Sequence, residues 1–222
     1  MEAQQNTAET VRERREREFD RIKITGLRKE DRVELTTRLR TLFVETGLPL
    51  KNVKKIHIAS PGDLVTRFMD GDADYNPNMN TVTIRYELFM KGAPLKEFIA
   101  HELAHANSPF DRNDKLFGKK ERKEIQEYVK KVADYLYDAN LPLSPYHMRL
   151  MERRKLHILS PHRITKQSYY EETWAILAEL RLTNLEQLKE IEDILATRRK
   201  RHPTVPSLLE IDTPIDALRK NS

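Results

Sequence analysis

The chain has 222 residues, with 40 Lys and Arg against 35 Asp and Glu, a formal net charge of +5 and no cysteine. That length suits one domain of moderate size with an apolar core, and the absence of thiols excludes disulfides, thiolate metal sites and cysteine nucleophiles. No apolar run approaches the roughly 18–20 residues that span a bilayer, and residues 1–10 lack the apolar stretch of a secretory signal, so the chain reads as cytoplasmic with no membrane contact.

Residues 8–24 mix charges of both signs with few apolar positions, which predicts an exposed helical arm, and residues 1–24 are set apart on that ground. Val33, Leu35, Leu39, Leu42 and Phe43 predict an amphipathic helix from Arg28 to Thr46, closed by Gly47 and Pro49. Val53–Ala59 reads as a first strand, with His57 as an ordinary strand residue. Asp70, Asp72 and Asp74 alternate as in a calcium loop, but Tyr75 and Thr81 stand where an EF-hand needs glycine and glutamate, so a polar turn is expected. Asn80–Leu88 alternates, with Val82, Ile84, Tyr86 and Leu88 on one face, which predicts a half-buried strand.

Pro94 marks a helix start, and Leu95, Ile99 and Leu103 form one apolar face of a helix ending near Ser108-Pro109. A further helix is predicted from Lys119 to Tyr137, broken by Pro142 and Pro145. Helices over Tyr146–Leu156, Ser168–Leu182 and Leu185–Arg199 follow, with a loop around His162. Residues 198–222 read as a basic, irregular, proline-containing tail in which Arg198, Arg199 and Arg201 offer at most a weak nucleic-acid contact. The core domain is then 25–197, helix-rich and α+β.

The predicted helix from Pro94 carries His101-Glu102-Leu103-Ala104-His105. Imidazoles four residues apart stack on one helix face, so both can grip one metal ion while the intervening Glu points toward an open coordination position. On this HExxH pattern the chain resembles the zincin metallopeptidases, most closely the gluzincins. The resemblance implies a zincin-like fold with a small mixed sheet whose edge strand, here Asn80–Leu88, precedes the metal helix and pairs with an extended peptide. It implies one Zn2+ per chain, Glu102 as general base, and a protein or peptide as substrate; the lack of a signal segment and the basic termini favour a restricted intracellular one.

A catalytic zinc normally has three protein ligands. Glu172-x-x-Ala175 resembles the segment that carries the third ligand in gluzincins, with Glu171 one residue away as an alternative. Asp111 is another, at the spacing of the metzincin third ligand, with Met148 or Met151 as its Met-turn, although Ser108 replaces the glycine of that pattern. His162, Tyr169 and Tyr170 are the expected donors to a developing oxyanion. A zincin-like module that binds nucleic acid or a repressor without proteolysis is the second reading.

Overall fold

The computed structural model describes residues 2–67, 69, 72–90, 95–111, 116–144, 147–148, 151–152, 166–199 and 206–220. The chain is helix-rich with a small mixed sheet, an α+β arrangement. It forms two compact units, residues 1–107 with 218–220 and residues 108–217.

In the first unit, α1 (Glu2–Phe19) leads into β1 (Lys23–Thr25), and α2 (Arg32–Glu45) into β2 (Lys55–Ala59). β3 (Ala73–Asn76) and β4 (Thr81–Arg85) form a hairpin, and α3 (Tyr86–Met90) precedes α4 (Leu95–Ala106). The sheet order is β1-β2-β4-β3, with β1, β2 and β4 parallel and β3 antiparallel to β4. Ile56 and Ile58 stand beside Val82 and Ile84, all without exposed surface. α2 and α4 pack together, and α4 packs on β3.

Four expectations change. Asn80–Leu88 is not an edge strand: β4 lies between β2 and β3, and Thr81, Val82, Thr83 and Ile84 are all buried, so both its faces are covered. The strand also ends at Arg85, because β2 ends opposite it at Ala59 and β3 is used up at Ala73; with no ladder left, Tyr86–Met90 turns into helix and buries Leu88 and Phe89. The first 24 residues are more than a charged arm. They bury Arg15, Phe19 and Ile22, set the Phe19 and Phe43 rings 5.8 Å apart, and supply the first two residues of β1. The α2 prediction holds at Leu35, Leu39 and Phe43, but the helix starts at Arg32 and Val33, in its first turn, is 80% exposed.

In the second unit, α5 (Lys119–Asp138) and α7 (Leu185–Arg199) pack on α6 (Lys166–Thr183), whose Tyr169, Trp174, Ala175, Leu177 and Ala178 have no exposed surface. The tail was expected to be irregular, yet Leu208–Ile211 forms a 3-10 turn and Asp212–Lys220 forms α8. Pro214 is compatible with that helix because it sits in the first turn, where amides have no intrahelical acceptor to serve. The Glu192 carboxylate holds this segment to α7, accepting from Ser207 Oγ at 2.9 Å and from the Leu208 amide at 2.8 Å. His147, Met148, Met151 and Glu152 are helical, while the rest of the predicted 146–156 helix is outside the described residues.

Gly26 follows β1 with φ +85°, and a Cβ there would stand 1.9 Å from the Ile58 carbonyl oxygen. Gly26→Ala is therefore expected to cost more than about 3 kcal/mol in urea unfolding, through left-handed backbone strain plus a backbone clash; a loss below about 1 kcal/mol would show that β1 does not hold this register.

Candidate metal centre

α4 is apolar on the side that packs: Leu95, Ile99, Ala100, Leu103, Ala104 and Ala106 are buried. His101 and His105, one helical turn apart, keep part of their surface. Their Nε2 atoms are 3.2 Å apart and their rings meet edge-on, with centroids 4.8 Å apart at 71°. Zn–N bonds of about 2.1 Å in a tetrahedron would set two nitrogens about 3.4 Å apart, so the pair already has the spacing of two imidazoles on one ion. Glu102, between them, is 7% exposed.

Glu172 is also buried, at 6% exposure, on α6. One ligand atom from each of His101, His105 and Glu172 lies within 4.8 Å of the other two, which makes these residues a possible metal-binding group. It is a His2Glu donor set, hard enough for a divalent cation and borderline enough for zinc. The other acids weighed for this role, Glu171 and Asp111, are not in the group. Asp111 belongs to the turn after α4, where its amide donates to the Ser108 carbonyl at 3.1 Å. The Ser108 hydroxyl accepts from the Phe110 amide at 3.2 Å, so a serine turn replaces the glycine turn of the metzincin pattern.

The expected oxyanion donors fare differently. Tyr169 is fully buried and its hydroxyl donates to the Ala133 carbonyl at 3.2 Å. The Tyr170 hydroxyl donates to the Asp134 carboxylate at 3.1 Å, and its ring stacks on Phe110. Both phenolic protons are committed to α5. His162, Arg201 and the side chains of Arg198 and Arg199 lie outside the described residues.

Sequence reasoning missed His147. It is fully buried, and its ring lies flat against Tyr169 with centroids 4.9 Å apart at 7°. Its Nδ1 accepts from the Leu143 amide at 3.0 Å, and its Nε2 is 3.3 Å from Thr173 Oγ1, whose own proton goes to the Tyr169 carbonyl at 2.8 Å. These partners fit a neutral imidazole protonated on Nε2. Burial pushes the ring down to about 4, against the pull of the Glu172 carboxylate. The one local signal was Ser144, three residues earlier, whose hydroxyl accepts from the His147 amide at 3.0 Å as a helix cap does.

Comparison with protein-family models, with curated proteins and with solved structures finds no match. Among the described residues, no helix is long and apolar enough to cross a membrane.

His147 gives the metal-free protein a defined acid sensitivity. The unfolded chain takes up the His147 proton near pH 6.5, while the folded protein resists it to about 4. The unfolded state thus gains protons first as pH falls, and stability that is complete above pH 6.5 is lost between 6.5 and 4, by up to about 3 kcal/mol. Urea unfolding across this range should show that loss in the wild type and a shallower one in His147→Leu; equal slopes would mean that His147 is not held neutral.

Proposed function

We propose that this chain is a zinc-dependent metallopeptidase of gluzincin type, acting on a restricted intracellular protein substrate. His101, His105 and Glu172 are its metal ligands and Glu102 its general base. The observation that carries the reading is the convergence of those three ligand atoms within 4.8 Å, on residues that include the two His of an HExxH helix.

Bound there, a zinc ion supplies Lewis acidity toward a peptide carbonyl and toward water. The protein's own groups do the rest. His101 and His105 reach the ion as neutral imidazoles from one rigid helix, and Glu172 adds the negative charge that offsets part of the dication. Glu102 is on the same helix, so its distance from the ligands is fixed by α4 itself. Its carboxylate accepts a proton from the attacking water and returns it to the leaving amine.

An extended substrate has an outer strand available. β4 has both sides occupied, whereas β3 is the last strand in the order and packs against α4, so a peptide adding to β3 would run beside the helix that carries the ligands.

Elemental mass spectrometry of the purified chain tests the ligand set. Wild type is expected to carry one zinc, Glu172→Ala to lose most of it, and Asp111→Ala to retain it; zinc retained in Glu172→Ala and lost in Asp111→Ala would move the third ligand. Glu102→Gln is expected to keep zinc and to lose peptide hydrolysis by about 10²–10⁴-fold. A partner-dependent function that survives Glu102→Gln intact would assign the chain to binding rather than catalysis.

A further inference from the structure

Arg15 has no exposed surface, an unusual state for a guanidinium near the start of a chain. Its NH1 donates to Glu18 Oε2 at 2.9 Å and its Nε to the Gly47 carbonyl at 3.3 Å. The same Glu18 oxygen accepts from the Leu50 amide at 2.8 Å. The ion pair on α1 therefore holds both ends of the stretch 47–50: the guanidinium takes its first carbonyl and the carboxylate its last amide.

That stretch meets the end of α4. Asn107, fully buried, donates through Nδ2 to the Pro49 carbonyl at 3.0 Å and to the Leu103 carbonyl at 2.7 Å, which also accepts from the Asn107 amide at 3.0 Å. Just beyond the stretch, Asn52 Nδ2 donates to the Ala106 carbonyl at 2.9 Å. The last carbonyl of a helix has no following intrahelical amide, and here Asn52 supplies the donor, while the Asn107 side chain ties the helix end to Pro49. His105 stands in this last helical turn.

We propose that Arg15 and Glu18 are positioning residues for the metal ligand His105, acting through the stretch 47–50 and Asn107; the proposal rests on the metal reading given above. α1 fixes the stretch, the stretch fixes Asn107, and Asn107 fixes the height and rotation of the helical turn from which His105 projects. The two imidazole nitrogens hold their 3.2 Å spacing only while that last turn keeps its pitch.

The test uses the full chain with Co2+ as probe, reading the visible absorption of the bound ion and its affinity by competition with a chelator. Arg15→Met and Asn107→Leu are expected to weaken Co2+ binding about tenfold or more and to alter the cobalt band. Arg15→Lys, which keeps a cation for Glu18 but has one terminal donor group to share with Gly47, should fold and fall between these and the wild type. Glu18→Gln keeps an acceptor for both Arg15 and the Leu50 amide and should bind cobalt nearly as wild type does. Val129→Ala, a core truncation in α5, should lower the melting temperature and leave the cobalt band unchanged. Wild-type affinity and spectrum in Arg15→Met, Arg15→Lys and Asn107→Leu would overturn the proposal. If the wild type binds no Co2+, the metal reading itself fails, and amide exchange at residues 104–107 decides the relay separately: faster exchange in Arg15→Met than in Val129→Ala supports it, and equal protection overturns it.

Discussion

One helix has to satisfy two opposed demands, and much of the first unit is arranged around that. α4 must bury an apolar side deeply enough to be immobile while leaving two imidazoles partly open on the same 12 residues. Leu95, Ile99 and Leu103 meet the first demand with almost no exposed surface. In the sheet, Ile56 and Ile58 of β2 lie beside Val82 and Ile84 of β4, all four without exposed surface. A sheet face that soft and branched packs densely, and dense packing lets a helix hold a spacing to within tenths of an ångström.

Much of this was legible in the residues, for reasons that differ by element. α4 could be read because its apolar period and its histidines obey the same helical geometry. α5 was placed to within one residue at each end by Ile125, Val129, Val132 and Leu136, and α7 with both its limits. β1 could not be read, because Lys23-Ile24-Thr25 is too short to show any period and exists as a strand only through its pairing with β2. The edge assignment of the strand before α4 failed for a related reason: alternation of Thr with Val and Ile reports one polar and one apolar face, and says nothing of a neighbour that buries the threonines as well. Tyr86 and Leu88 continued the alternation past the point where any partner strand remained.

The site shows the same division. The two His and the Glu of the HExxH pattern are fixed by local spacing and needed no tertiary information. Glu172 was preferred over Glu171 through its distance to Ala175, and that alanine is indeed fully buried on α6. Position in the sequence suggests the tyrosines beside it as oxyanion donors; in the structure both are buried, and their hydroxyls donate to Ala133 and Asp134 of α5. His147 was invisible because its partners are a backbone amide and a threonine hydroxyl, which no spacing rule brings together. Neutral and hydrogen-bonded on both ring nitrogens, it adds an imidazole to this unit without adding a charge.

The sheet's outer strands are short. β1 has three residues and ends at a left-handed glycine, and β3 has four with an exposed Asp74 midway along it. Long, flat, uncharged edges invite strand-to-strand growth between identical chains, and short charged ones discourage it. A strand of four residues with an exposed carboxylate midway along it offers another copy of the protein only a short and charged ladder, so the length that limits the sheet also limits its growth between chains.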